Sequence, residues 1–390
     1  MDLYCLSNTK LVENAIPLFM NMKIDESGID IVHEFAARTC YSSLDRFGEA
    51  PGFLNSLVQR GHNDVFEHGM IQMAIDDVKN LDALELEIRR KNQYARIQQY
   101  ETLFDTKCKH LRVFASFRVW SELATSGIFG EDGLEQIREI LYSLAPKSCM
   151  WDNKSPVSNY QTKTSVPGPQ SIELETGAVV TLIAKSTPSD VNHKNQACAT
   201  VLYDGPSRAL THQLVRHRRG SFSQESQRYV SLDKSRKNAD YNKSLYVTPT
   251  TLNFTSKDLY DKILLGCLQG YDALAEAGVK PEDARFVLPN AMRTKIVVTM
   301  TMDDWSHFFW LRALDNAAQW EIREEAQATL RLFEHHLYPF VLSEVDAAYS
   351  SGFFDEKDNF RKIMNALPIA NIVKSRGAAR RARKGKNKCI

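Results

Sequence analysis

Strand-like and helix-like stretches alternate along this chain, which predicts a protein of mixed α/β (α+β) class. Short apolar runs at 3–7, 68–76, 197–203 and 295–301 have the length and the bounded ends of strands. Apolar residues recur at helical spacing over 30–38, 52–60, 134–144 and from Ser256 towards Gly278. At 390 residues the chain can build one large domain or two ordinary ones.

In chain order, 3–7 predicts the first strand. The helix over 30–38 turns Ile31, Val32 and Phe35 inward. A second helix over 52–60 carries Phe53, Leu57 and Val58, and Gly61 ends it. The segment from His62 to His68 reads as a capped loop into strand 68–76. Its histidines are six apart and would not share a helix face, so no metal site is predicted. A charged helix follows over 81–101, then helices over 115–125 and 134–144, the last striped by Leu134, Ile137, Leu141 and Leu144. After a Pro/Ser/Lys/Asn-rich loop over 146–170, residues 171–175 and 178–184 predict a hairpin turning at Thr176-Gly177. Cys108-Lys109-His110 is too sparse for a metal site. Strand 197–203 leads through Asp204-Gly205-Pro206 to a helix over 208–215 capped by Ser207, with Gln213, Arg216 and His217 on one side and Gly220 as the stop. A strand at 245–247 precedes a long helix capped by Ser256, with Leu259, Ile263, Cys267, Tyr271 and Leu274 inward. Short helix 281–286, strand 295–301 and an aromatic-rich helix capped by Asp303 come next, and helices continue to about 349.

The charge is balanced overall but not along the chain. Residues 374–390 hold eight Lys/Arg and no acid, which leaves 41 basic against 48 acidic residues before them, a net of −7. The body is therefore not a general nucleic-acid binder, whereas the tail over 365–390 reads as a disordered basic segment able to touch polyanions. The seven cysteines have no C-x-x-C spacing, which fits free thiols in a reducing compartment. No apolar run is long enough for a membrane span, and no signal peptide is read; a cytoplasmic protein is expected.

The densest chemistry lies in Arg216-His217-Arg218-Arg219-Gly220-Ser221-Phe222-Ser223-Gln224-Glu225-Ser226-Gln227-Arg228-Tyr229. Planar guanidinium forks suit an anion with several oxygens, and hydroxyls and amides read ring edges. A solvated basic helix end explains an isolated Arg-His-Arg, but it does not require the Ser/Gln/Arg spacing that follows.

This stretch resembles the defining motif of flavin-dependent thymidylate synthases: Arg-His-Arg, seven residues, then Ser226, with Gln213 before it and Arg228-Tyr229 after it. Four further blocks are similar and occur in the family's order: Ala37-Arg38-Thr39-Cys40-Tyr41-Ser42-Ser43, Gly61-His62 to Phe66-Glu67-His68, Arg285 before Val287-Leu288-Pro289, and Arg312-Ala313 to Gln319-Trp320-Glu321-Ile322. The resemblance covers 1–76 and 196–345, so a core of 1–76 plus 196–350 is expected, with 77–195 as an insertion. It implies a mixed α/β fold, a homotetramer with active sites between subunits, and reductive methylation of dUMP. Methylenetetrahydrofolate would be the carbon donor and co-substrate, FAD the hydride carrier and NADPH the reductant. Carried onto this sequence, Arg216, His217, Arg218, His62, Asp64, Glu67, His307 and Asn316 are expected on the FAD side. Gln213, Gln224, Glu225, Ser226, Gln227, Arg228 and Arg285 are expected to hold dUMP, and Arg312 to polarise the uracil, so that Ser226 and Arg312 are the catalytic candidates. Ser226 has no His/Asp pair placed by sequence to activate it, and no cysteine lies near the motif in sequence. The chain departs from the family at Gln224, where some members have Glu, at Asp303, where compact members can carry Arg, and at Asn316 or Ala317 in place of a frequent His. A dUMP hydroxymethylase with a nearly identical site, and a non-catalytic nucleotide- or nucleic-acid-binding protein on the same scaffold, are the alternatives.

Overall fold

The computed structural model describes residues 1–12, 28–76, 78, 80–101, 109–149, 170–188, 193–230, 232 and 245–354. The expected loop over 150–169, Cys108 and the basic tail lie outside them. Two compact units form: one is described up to Trp305, the other from Ser306 to Phe354.

The first unit holds two antiparallel sheets. One has the order β1-β3-β5-β4 (Asp2–Asn8, Met70–Asp76, Lys109–Ser116, Arg96–Glu101). The other has the order β2-β7-β8-β10-β9 (Lys10–Leu11, Val179–Ser186, Cys198–Ser207, Arg293–Thr301, Ser221–Gln224), with β6 (Ser171–Glu173) paired to β7. The central strands β8 and β10 pair Val201 with Val298 and Tyr203 with Ile296, and they read as near-continuous apolar runs because both faces are covered.

Helix α1 (Gly28–Cys40) is buried on every side, well beyond the three inward residues its periodicity predicts. Its polar residues are therefore paired internally, although among the described residues His33 Nε2 and Arg38 Nη2 find no partner. Glu34 meets Arg38 at 3.2 Å and accepts from the Gly48 amide. Asp30 accepts from the Ser148 hydroxyl and the Lys147 amide, and Ser148 in turn lies 2.8 Å from His33 Nδ1. Burial moves Asp30 up to about 6 and His33 down to about 3, which keeps the ring neutral. Helix α2 (Ala50–Gln59) packs through Leu54 and Leu57 and ends at Gly61, whose φ of +74° suits glycine.

Segment 77–195 is built into both sheets. Helix α3 spans only Leu81–Lys91 and not 81–101. Asn80 caps it, and the chain turns after Lys91 and returns as β4 against β5, where ladder pairing overrides the helical preference of the Gln/Arg run. The helix expected over 115–125 is strand to Ser116 and then α4 (Phe117–Thr125). Helix α5 (Gly130–Leu144) buries Ile137 and Leu141 of its predicted stripe.

Helix α6 (Arg208–Leu214) is capped by Ser207, which accepts from the Leu210 amide at 3.0 Å. It stops at Leu214, so Arg216 and His217 follow it in turns and do not share its face with Gln213. Gly220 is not the stop; a Cβ there would meet Phe222 at 2.7 Å and Met300 at 2.9 Å. Helix α7 (Phe254–Glu276) is capped by Asn253 and not Ser256. It buries Leu264, Leu268 and Tyr271, the last two in a cluster with Leu232, Ala284 and Met292. Leu259 and Ile263, predicted inward, are exposed: two apolar stripes were available at helical spacing, and Met292 and the short helix α8 (Pro281–Ala284) select the other, while the strand expected at 245–247 is a single bridge from Tyr246 to Met292.

Helix α9 (Met302–Arg312) starts at Thr301, whose hydroxyl accepts from the Asp304 amide, so Asp303 is not the cap. In the second unit, α10 (Trp320–His336), capped by Gln319, and α11 (Tyr338–Ser350) pack around Phe309 and Phe333, whose ring centroids are 5.4 Å apart edge to face. There Glu344 is fully buried and accepts from the Ser306 and Ser343 hydroxyls.

Candidate functional site

The polar motif folds as turn, strand and turn. After α6, Val215 to Gly220 makes two turns, β9 pairs Ser223 with Val297 of β10, and a second turn carries Ser226 to Tyr229. Ser226 shapes that second turn: its hydroxyl accepts from the Arg228 and Tyr229 amides at 3.1 and 3.3 Å. This is a positioning arrangement, with both bonds local to the turn.

Five elements converge on the motif. The end of α1 binds it directly: the Ser226 amide donates to the Cys40 carbonyl at 2.9 Å, and the Ser42 hydroxyl donates to Glu225 Oε1 at 2.9 Å. Cys40 thus lies against the motif, contrary to the expectation that no cysteine is near it. Burial pushes its thiol up to about 12, so it stays protonated and supplies no thiolate nucleophile at neutral pH.

The 3-10 turn Asp64–Glu67 is the second element. Glu67 accepts from the Ser221 hydroxyl at 3.0 Å and pairs with Arg118 at 2.8 Å. Burial raises its carboxyl above the usual range, partly offset by those two donors. Next to it, His68 is completely buried, with Nδ1 2.8 Å from Thr299 Oγ1 and Nε2 2.9 Å from Ser223 Oγ. Thr299 continues to Thr200 at 2.7 Å, so one chain of polar groups ties Ser223 of β9 to β10 and β8. Desolvation lowers His68 to about 3. His62 pairs through Nδ1 with the Tyr41 hydroxyl, its ring nearly parallel to that of Tyr41, while Asp64 is exposed.

Strand β10 and α6 hold the other side. Gln224 donates to Thr211 at 3.0 Å and to Thr294 at 3.3 Å. Arg208 donates to the Glu225 carbonyl at 2.7 Å; burial lowers it to about 10, which leaves it charged at neutral pH. The last element is α8 with the turn after it. Arg228 pairs with Glu282 at 2.9 Å, and Arg285 donates to the Glu282 carbonyl at 3.1 Å, which brings both predicted arginines to one short helix. Arg216 and Arg218 are exposed and make no ion pair among the described residues, whereas Arg219 lies 3.7 Å from Asp304. Gln213, His217 and Gln227 are half-buried.

His307, Arg312 and Asn316 belong to the second unit. His307 and Asn316 are exposed, Arg312 is half-buried, and the Asn316 carbonyl accepts from Arg323 at 3.1 Å.

Sequence reasoning missed Arg118, Arg208 and the contact of Cys40 and Ser42. Arg118 lies in the expected insertion and Arg208 at a helix start, and only tertiary pairing reveals either. Among the described residues no cluster of His, Cys, Asp or Glu could hold a metal ion, and no helix is long and apolar enough to cross a membrane.

Among the described residues the motif offers two exposed guanidinium groups without an ion pair, Arg216 and Arg218, and His62, Tyr41 and the held carboxylate of Glu67 lie on elements tied to it, a donor and ring set of the kind a flavin would need. Residues 161–337 match the family model described as thymidylate synthase complementing protein. Among curated relatives, the chain is 46% identical over 131 residues to a flavin-dependent thymidylate synthase of Geobacter sulfurreducens, covering 33% of this chain and 53% of that protein. It is 43% identical over 133 residues to the enzyme of that name in Pyrococcus furiosus, covering 33% and 52%. The corresponding Sulfolobus acidocaldarius protein is 42% identical over 125 residues, covering 32% and 45%. The chain therefore spans about half the length of the curated relatives it matches. The match begins at residue 161, so it takes in the β6–β7 hairpin that the motif spacing assigns to the insertion. Family model and relatives both agree with the resemblance to flavin-dependent thymidylate synthases read from the motifs.

Proposed function

We propose that this chain catalyses the reductive methylation of dUMP to dTMP, with methylenetetrahydrofolate as carbon donor, FAD as hydride carrier and NADPH as reductant. The observation that carries it is the coincidence of the 161–337 match with a motif whose Arg216 and Arg218 stay exposed while its neighbours are pinned. Bound FAD would supply the hydride chemistry that no side chain here can provide.

The chain's own residues then bind and orient. Arg216, His217 and Arg218 offer donors for the cofactor's phosphates, and His62, Asp64, Glu67, His307 and Asn316 are its further contacts on this proposal. Gln213, Gln224, Glu225, Gln227, Arg228 and Arg285 hold the nucleotide, with Arg228 and Arg285 for its phosphate. Ser226 fixes the turn that presents them. Arg312 polarises the uracil, raising electron density at C5; a fixed cation does this without a covalent protein intermediate. The protonated Cys40 thiol agrees with that route. A homotetramer with shared sites and an insertion at 77–195 are part of the same proposal.

The test is the mass of the nucleotide formed from dUMP with FAD, NADPH and methylenetetrahydrofolate. Gain of one CH₂ supports the synthase. Gain of CH₂O assigns a hydroxymethylase. A folded, colourless protein that forms no product refutes both and favours a binding role. Arg216→Ala is expected to weaken FAD retention and Arg228→Ala to weaken dUMP binding; unchanged affinities would remove those two assignments.

A further inference from the structure

Beside the motif, a cavity of about 520 Å³ opens between the end of α1 and α2. Arg38, Tyr41, Ser43, Arg46, Arg60 and Tyr229 line it. Nothing assigned above to flavin or dUMP uses the three arginines. Two polar atoms on the wall are buried and have no hydrogen-bond partner among the described residues: Arg38 Nη2 and Ser43 Oγ. Arg38 is only 2% exposed. Its Nε is held by Glu34 and its guanidinium carbon sits 3.9 Å over the Phe53 ring, so the fork is fixed with one nitrogen unused. A buried, unsatisfied guanidinium N–H is expensive, and a water or ligand oxygen entering the cavity would satisfy it.

The remaining charges have the same bias. Arg46 is paired with Glu49 at 2.7 Å on the exposed rim, and Arg60 forms no ion pair among the described residues. Against three arginines stand Glu34 and Glu49. The aromatic wall continues the site: the Tyr41 and Tyr229 centroids are 6.0 Å apart, Tyr41 is bonded to His62, and Tyr229 adjoins Arg228. The cavity therefore combines aromatic rings and cations in its lining.

We propose that this cavity is an anion subsite for a co-substrate tail: Arg38, Ser43, Arg46 and Arg60 take carboxylate or phosphate oxygens, and Tyr41 and Tyr229 flank the ring that precedes them. It rests on the proposed synthase function for the identity of the co-substrates. Two sources share that chemistry, the glutamyl carboxylates of the folate and the 2′-phosphate of NADPH.

The experiment is calorimetric titration of the full chain with pteroyl-tetraglutamate against pteroate, and with NADPH against NADH. Arg60→Gln and the double variant Arg46→Gln/Arg60→Gln are used because Arg38 is structural as well. The wild-type chain should prefer the tailed member of one pair, more so at low salt. Each substitution should reduce that preference about threefold, and the pair together about tenfold, as expected for solvent-exposed charge pairs. Affinity for the tailless compound should not change. Loss confined to the folate pair assigns carboxylates, and loss confined to the NADPH pair assigns phosphate. Preferences in both pairs that survive the double variant overturn the subsite. Binding is read without turnover, so failure of the synthase function is separable. Arginine-dependent binding without conversion of dUMP would refute the synthase alone, and conversion without arginine dependence would refute the subsite alone.

Discussion

His68 should make the motif acid-sensitive. The ring is fully buried between Ser223 and Thr299 and its pKa is lowered from 6.5 to about 3, so the folded protein holds it neutral while the unfolded chain protonates it near 6.5. A histidine with a depressed folded pKa contributes full stability above 6.5 and progressively less as pH falls from 6.5 towards 3, because only the unfolded state gains the proton. At pH 4.5 the loss for this one ring is about 2.7 kcal/mol, two pH units at 1.36 kcal/mol each. His33 acts in the same direction, and Asp30, raised to about 6, acts in the opposite one as it protonates in the folded protein. A His68→Gln substitution isolates the term, since the amide keeps a donor and an acceptor but does not titrate. At pH 7 the variant should be about 1–3 kcal/mol less stable, from imperfect replacement of two buried bonds and the ring. Its stability difference between pH 7 and pH 4.5 should be smaller than that of the unsubstituted chain by about 2.7 kcal/mol. Urea unfolding at both pH values measures this double difference. A variant with undiminished acid sensitivity would refute the neutral, desolvated assignment of His68.

Three further outcomes are expected. Gly69→Ala places a Cβ 2.5 Å from both His33 Nε2 and Ile29 Cγ2, so the urea midpoint should fall by the equivalent of about 1–3 kcal/mol; an unchanged midpoint would mean that this contact relaxes freely. Glu34→Gln leaves the buried Arg38 without its counter-charge and should destabilise by about 3 kcal/mol, more than Arg46→Gln on the exposed rim, which should stay within about 0.5 kcal/mol; equal effects would show that the α1 pair is hydrated. Arg118→Ala should leave thermal stability nearly unchanged, because the pair with Glu67 is a third exposed, yet reduce flavin retention by freeing the Glu67 carboxylate; equilibrium dialysis of flavin reads it, and undiminished retention would remove Arg118 from the site.

Local chemistry made much of this protein legible in the sequence. Apolar runs located β3, β8 and β10, because a strand covered on both faces must be apolar throughout, and a shorter run located β1, which buries only Leu3. Ser207 announced α6 because a helix start needs an acceptor for its free amides. The density of arginine and hydroxyl donors at 216–229 identified the motif because few structural needs explain it. Other features depended on partners distant in the chain. The Gln/Arg run at 96–101 is helix-compatible, and only pairing with β5 made it a strand. Helix α7 carried two apolar stripes, and packing against Ala284 and Met292 chose the one that excludes Leu259 and Ile263. Cys40, Ser42 and Arg118 became neighbours of the motif only when α1, α4 and β9 were assembled. Periodicity fixes which faces are apolar, but it cannot say which neighbour covers a face or which distant charge completes a site, since those energies exist only between segments brought together by the fold.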